Sequence, residues 1–295
     1  MIPPGGGGRD PAESQTGYAF LDCGHGRRLE RFAGIAVSRP APAASWPPIL
    51  PPAVWAAAQL SFCRGSGWLG VPPADWRIRL GSVSLGLRPT GGGQLGFFPE
   101  CLRVAGRLSD QLAERPVSSN GRRIINLFAH TGLVTLALAS LPGVREIIHV
   151  DSSPGALRQA RENAVLSGLE KAPVRWLADD ALAFLVREVR RDRDCDLLVA
   201  DPPAYGRGGG TGDWKLERDL PELLRLAGIL LARQGGLLCL VCHRAGWGAS
   251  DLLRQAAAIP GLAEVETLPL VLRTTGGARK LALGTALFAA LPRKD

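Results

Sequence analysis

Apolar and polar positions follow two rhythms along this chain. From residue 109 onward, short continuous apolar runs alternate with stretches of helical periodicity, the pattern of a doubly wound α/β sheet with strands buried on both faces. Residues 123–128, 147–150, 174–177, 195–200 and 237–241 read as its strands. Residues 133–141, 154–166 and 214–231 read as its helices. Before residue 109 the chain is β-rich instead: residues 76–80 and 83–87 alternate as a hairpin around Gly81-Ser82. Pro40, Pro42, Pro47, Pro48, Pro51 and Pro52 surround Trp46 and favour an extended, stiff segment. The predicted organisation is a disordered tail at 1–16, a small β-rich region at 17–108 and an α/β domain at 109–295.

The fourth apolar run of the α/β part ends on Asp201-Pro202-Pro203-Ala204-Tyr205. Two prolines forbid further strand pairing and hold Asp201 extended, which gives a stiff corner with a carboxylate at one end and an aromatic ring at the other. Such a corner can grip a planar amine: Asp201 and a proline carbonyl accept its hydrogens while Tyr205 stacks on the ring. Asp-Pro-Pro is also ordinary turn chemistry, so the corner by itself fits a strand-ending turn equally well. Four strands precede it, which puts Asp201 beside the central switch point where open α/β sheets bind ligands.

Two other strand ends support a site. The first strand runs into Ala129-His130-Thr131-Gly132, and the second ends on Asp151, 19 residues after Gly132. One crossover helix separates a nucleotide-binding turn from a ribose-binding acid by about 20 residues. An ionised Asp151 can accept hydrogen bonds from vicinal ribose hydroxyls. It also opens the helix at 154–166, where Ser152 and Ser153 are natural caps and Pro154 suits the first turn, and the two roles are compatible. The turn carries one glycine, whereas a dinucleotide site needs G-x-G-x-x-G to admit a pyrophosphate. A cofactor with one ribose and no phosphate fits better, and S-adenosylmethionine answers that description.

Taken in order, Asn126-Leu127-Phe128-Ala129-His130-Thr131-Gly132, Val150-Asp151-Ser152-Ser153, Arg161-Glu162-Asn163-Ala164 and the Asp201 corner resemble class I S-adenosylmethionine-dependent methyltransferases. The resemblance is to the bacterial large-subunit ribosomal-RNA enzymes that modify cytosine carbon 5 or guanine. It covers residues 88–290 and is densest over 123–220. It implies that the loop of Asn126, Phe128, Ala129, His130, Thr131 and Gly132 holds the methionine portion of S-adenosylmethionine. By the same likeness Asp151 and Ser152 serve the ribose, and Asp180-Ala181 the adenine edge, with Asp179 an equally placed competitor. Phe98, in Leu95-Gly96-Phe97-Phe98-Pro99-Glu100, is implied to lie against the cofactor. Asp201, Pro202, Pro203 and Tyr205 become the catalytic corner, and residues 281–288 an antiparallel final strand. Three positions depart from the family pattern: Pro99-Glu100-Cys101 replaces Asp followed by Gln-Arg, His130 a usual glycine and Asn126 a frequent Asp.

Cysteine chemistry has two openings. Cys239-Leu240-Val241-Cys242-His243 matches the C-x-x-C-H haem signature, but on a buried strand residues three apart face opposite ways. Cys242 also falls near the place where cytosine-modifying relatives carry a thiolate nucleophile, with His243-Arg244 where they carry a serine. A buried cysteine is equally a small hydrophobe, and nitrogen methylation needs no thiol. No zinc-type spacing and no internal repeat occurs.

A formal net charge of +8 favours acidic partners, nucleic acid first, although the excess is nearly all arginine. The cluster Arg187, Arg190, Arg191 and Arg193 is interleaved with acids and reads as a solvated helix end. No apolar stretch reaches transmembrane length, and the N-terminus lacks an apolar signal core, so a soluble cytoplasmic protein without metal or membrane partner is expected. Trp46, Trp55, Trp68 and Trp76 suit either base stacking or burial. Residues 207–214, dense in glycine, read as a flap beside the corner. The expected function is methylation of a nitrogen on an RNA base. The alternatives are methylation of a protein amide or small molecule, or a binding module without catalysis.

Overall fold

In a computed structural model, the structure describes residues 17–206, 212–233 and 235–292. The expected tail and residues 207–211 of the expected flap lie outside them. The chain divides into two compact units, residues 1–100 with 271–282, and residues 101–270 with 283–295. The division falls just before the unbroken helix Cys101–Ala113.

The first unit holds a five-stranded sheet in the order β1 (Tyr18–Gly24), β2 (Arg27–Phe32), β3 (Ile35–Pro40), β4 (Leu60–Cys63) and β5 (Gly67–Leu69), with helix α1 (Pro52–Ala56) between β3 and β4. The expected hairpin is present as β6 (Arg77–Leu80) and β7 (Val83–Gly86). Aromatic rings fill the core: Phe32 meets Tyr18, Trp76 and Phe97 at centroid distances of 5.1, 6.3 and 6.2 Å. Buried beside them, Glu30 is paired with Arg39 and accepts from the Tyr18 hydroxyl at 3.0 Å. The four tryptophans serve this unit: the indoles of Trp46, Trp55, Trp68 and Trp76 donate to Cys23 O, Asp22 Oδ2, Thr90 O and Phe32 O. Of the four, only Trp76 is buried, where its bond leaves no buried donor unmet, while Trp46, Trp55 and Trp68 are half-buried.

The second unit begins with α2 (Cys101–Ala113) and continues through β8 (Arg122–Leu127), α3 (Leu133–Ala139), β9 (Val144–Asp151), α4 (Pro154–Leu166), β10 (Val174–Ala178), α5 (Ala181–Arg190) and β11 (Leu197–Ala200). A two-residue pair, β12 (Tyr205–Gly206) with β13 (Trp214–Lys215), precedes α6 (Leu216–Ala232). Then come β14 (Gly236–Cys242), α7 (Ala249–Ala256), β15 (Ala263–Arg273) and β16 (Lys280–Leu291). The seven-stranded sheet runs β10-β9-β8-β11-β14-β16-β15, with β8 to β11 and β14 parallel and β16 antiparallel to β14.

Strand residues alternate between two cores. Ile125, Leu127, Leu198, Ala200, Leu238 and Leu240 pack on one face with α5, α6 and α7. Ile124, Leu197, Val199, Leu237 and Cys239 pack on the other with α2. Two buried faces explain why these strands read as unbroken apolar runs. The order reverses between β8 and β11, so the switch point lies at the ends of those two strands.

Candidate active site

The strand ends are level, and this level edge builds the site. Leu127 pairs with Ala200 on one side and Val150 on the other, and Asp151 pairs with Ala178. The next residues along each strand, Phe128, Asp151, Asp179 and Asp201, therefore emerge along one edge. Phe128, Val150, Asp151, Ser152, Asp179, Asp180 and Ala181 line a narrow cleft of about 40 Å³, closed by Pro203, Gly206 and Trp214.

The first-turn loop is held in an unusual backbone. Phe128, His130 and Gly132 have φ of 54°, 48° and 90°. Two non-glycine residues in the left-handed region cost on the order of 1–3 kcal/mol each and persist only where surroundings fix them. Asp151 supplies part of that fixing: its Oδ2 accepts from His130 N and its Oδ1 from Ser153 N, both at 2.8 Å. Each carboxylate oxygen has a second lone pair, so Asp151 keeps acceptor capacity for two hydroxyls. Gly132 is required twice over, by its φ and because a Cβ there would meet Ala160 Cβ at 3.3 Å. Asn163 anchors the same loop by donating to Thr131 O at 2.8 Å.

Behind the loop sits a buried polar chain. Asn126 Nδ2 donates to Thr135 Oγ1 at 2.9 Å, and that hydroxyl lies 2.9 Å from His149 Nδ1. All three are buried, with Asn126 only 3% exposed. Asn126, expected among the cofactor-holding residues, is turned inward and supports the loop from behind. Burial pushes the His149 imidazole from 6.5 down to about 3, so it is neutral here. Burial also holds His130 below its ordinary range, against the opposing pull of Asp151 and Asp201.

Both adenine-edge candidates reach the cleft. Asp180 caps α5 by accepting from Ala183 N at 2.8 Å, and Asp179 pairs with Arg187 while accepting from Asp180 N at 2.9 Å. On α4, Ser153 rather than Ser152 is the cap, accepting from Ala156 N at 3.2 Å, which leaves Ser152 at the cleft.

At the corner, Trp214 Nε1 donates to Pro203 O at 2.7 Å. The Trp214 ring packs on Phe128 with centroids 4.9 Å apart, tying corner to first turn. Tyr205 is exposed, and its hydroxyl bonds to Asp213. β12 and β13 start α6 at Leu216, two residues later than the periodicity predicted. His243 Nε2 lies 3.4 Å from Asp201 Oδ1. Cys242 is the last residue of β14 and 2% exposed, and burial pushes its thiol up. Phe98 belongs to the first unit, in the stretch just before α2. Trp214, Thr135, His149 and His243 are the residues that sequence reasoning missed as parts of the site. The signal for Trp214 was present, an aromatic on the far side of a glycine-rich turn.

A mostly parallel seven-stranded sheet whose order reverses between β8 and β11 is the Rossmann-like architecture of methyltransferases. The chain belongs to the S-adenosylmethionine-dependent methyltransferase family, whose pattern it matches over residues 99–270. It is similar over 94% of its length to the crystal structure of an S-adenosylmethionine-dependent methyltransferase from Agrobacterium tumefaciens, with 30% identity, a TM-score of 0.83 and 90% of that chain covered. A methyltransferase structure from Streptococcus mutans shares the fold, with a TM-score of 0.72 at 14% identity over 94% of this chain and 76% of that one. Among curated proteins, ribosomal RNA large subunit methyltransferase I from Salmonella arizonae is 27% identical over 190 residues, 64% of this chain and 44% of that protein. The enzyme of that name from Erwinia tasmaniensis is 36% identical over 88 residues, 30% of this chain and 22% of that protein. The chain thus spans less than half the length of these curated relatives. Among the described residues no helix is long and apolar enough to cross a membrane.

Proposed function

We propose that this methyltransferase acts on a nitrogen of an RNA base, held at the corner of residues 201–205. The observation that carries the reading is the corner's position: Asp201 follows β11 beside β8, on the same sheet edge as Asp151. S-adenosylmethionine, when bound, supplies an electrophilic methyl group on its sulfonium sulfur. Asp151 and the Phe128–Gly132 loop would hold its ribose and methionine portions, and Asp179 or Asp180 its adenine. Asp201 and the Pro202 carbonyl accept N–H bonds from the substrate, which orient the nitrogen lone pair, and Tyr205 offers a stacking face. Positioning and exclusion of water then carry most of the rate. The pushed-up thiol of Cys242 supports nitrogen over carbon 5, because a buried neutral thiol is a poor nucleophile.

The RNA part rests on the names of the curated relatives and on a net charge of +8. The test is mass spectrometry of nucleosides from cells lacking this protein. One methylated nucleoside should vanish and return with the wild-type chain but not with Asp201→Ala. If all RNA nucleosides are unchanged while a methylated protein residue or metabolite disappears, the substrate is of that class instead.

A further inference from the structure

We propose that Cys101, Asp201 and His243 form a binding site for a divalent cation of the zinc class, which shares Asp201 with the substrate corner. The three come from separate elements of the second unit: Cys101 opens α2, Asp201 follows β11 and His243 follows β14. Their ligand atoms, a sulfur, a carboxylate oxygen and a ring nitrogen, all lie within 4.8 Å of one another. This is the soft and borderline donor set that selects zinc over magnesium or calcium. The distances suit it. Two ligands on ~2.0 Å bonds to a tetrahedral ion stand about 3.3 Å apart, and His243 Nε2 and Asp201 Oδ1 are 3.4 Å apart. The sulfur, on a bond of ~2.3 Å, belongs about 3.5 Å from each of them, so it closes by at most roughly 1.3 Å.

The hydrogen bonding of His243 is a second, independent observation. Its Nδ1 lies 2.9 Å from the Leu283 carbonyl oxygen. A carbonyl only accepts, so Nδ1 carries the hydrogen and the Nε2 lone pair faces Asp201. Lone pair and carboxylate are both acceptors, and their approach is favourable only with a cation or a proton between them. An imidazole tied through its other nitrogen to a backbone carbonyl is also the usual outer support of a metal-bound histidine. Gly284 permits the tie: a Cβ there would stand 2.3 Å from Cys242 O and 3.0 Å from His243 Nδ1.

Cys101 distinguishes the two occupants. A proton shared by His243 and Asp201 is indifferent to a nearby sulfur, whereas a zinc-class ion is held by it. Side-chain exposures of 31% for His243 and 30% for Asp201 give the ion a path from solvent, with the buried sulfur as floor. A cation here takes the Asp201 carboxylate away from an amine, so occupancy switches the corner off. That consequence rests on the corner role proposed above, while the binding does not. No sequence spacing announces the site, since its first and last ligands are 142 residues apart.

The test is titration of the full chain, stripped with a chelator, with zinc by calorimetry and with cobalt(II) by absorption. One equivalent should bind, with a thiolate-to-cobalt charge-transfer band. Cys101→Ser and His243→Gln should each weaken zinc binding by more than the roughly 10–100-fold that loss of an outer support costs. Both should abolish or displace the band, and Cys63→Ser should leave it unchanged. A wild-type far-ultraviolet circular dichroism spectrum and a cooperative urea transition in each variant report that it folds. Absence of zinc binding by the wild type, or equal zinc affinity and an equal band in Cys101→Ser, overturns the site. Zinc that binds through Cys101 yet leaves turnover unchanged retains the site and overturns instead the switching role assigned to Asp201.

Discussion

Trp214 donates its indole hydrogen to the Pro203 carbonyl at 2.7 Å while its ring packs on Phe128 at 4.9 Å. One side chain thus couples the corner of residues 201–205 to the loop expected to hold the methionine portion of the cofactor. Trp214→Phe keeps an aromatic ring and loses the hydrogen bond, so it should cost about 0.5–1.5 kcal/mol of stability and lower turnover. Trp214→Ala, at a site only 6% exposed, should cost about 3–5 kcal/mol. Urea unfolding and methyl transfer, measured on both variants, check this. Equal turnover in all three proteins would separate the tryptophan from the site.

Asp151 holds two backbone N–H groups and retains acceptor capacity for hydroxyls. Asp151→Ala should therefore weaken S-adenosylmethionine binding by about 1.5–3 kcal/mol, the range for hydrogen bonds to a charged acceptor. Calorimetry should also show silence toward NAD, because a one-glycine turn offers no pyrophosphate cradle. Saturable NAD binding would contradict the cleft's assignment.

Nitrogen and carbon chemistry separate at two residues. Asp201→Ala should abolish methyl transfer, whereas Cys242→Ala, at a buried position with its thiol pushed up, should retain most of it. A covalent RNA adduct in the wild type, lost together with turnover in Cys242→Ala, would establish carbon 5 as the target.

His149 makes stability depend on pH. Its imidazole falls from 6.5 to about 3 on folding, so between those values the unfolded chain binds the extra proton. Stability should be level above about pH 7 and fall on acidification below the unfolded value, by up to roughly 1.4 kcal/mol per pH unit. Urea unfolding from pH 5 to 8 measures the slope, and His149→Gln should flatten it. An unchanged slope in that variant assigns the acid sensitivity to other groups.

RNA binding should weaken with salt, the logarithm of affinity falling roughly linearly with the logarithm of salt concentration as phosphate counterions are released. On the proposed function the exposed Tyr205 stacks a base, and Tyr205→Ala should remove affinity that salt leaves intact. Filter binding of ribosomal RNA over a salt series reads both. Identical salt curves for the two proteins would remove Tyr205 from the interface.

The strands, their ends and the corner were legible because a two-sided parallel sheet writes its buried strands as continuous apolar runs. Asp151 and Asp201 could then be picked out as the polar residues that follow such runs. The side-chain direction of Asn126 was not legible, because sequence records that a residue is polar but not which way its side chain turns. Its inward bond to Thr135 is set by neighbours on α3 and β9. The N-terminal tryptophans were ambiguous for the same reason, since an indole suits a base or a core equally until its N–H finds a partner.

By itself the sequence determined the α/β class, the level at which each strand stops and the residue type at each stop, because these follow from local periodicity and chain stiffness. Only the tertiary structure decided which stops become neighbours. The pairing of Asp151 with the His130 backbone crosses a whole helix, and Cys101 meets Asp201 and His243 from far along the chain. Strand register and crossover direction fix such pairings, and both are set by burial of two sheet faces at once.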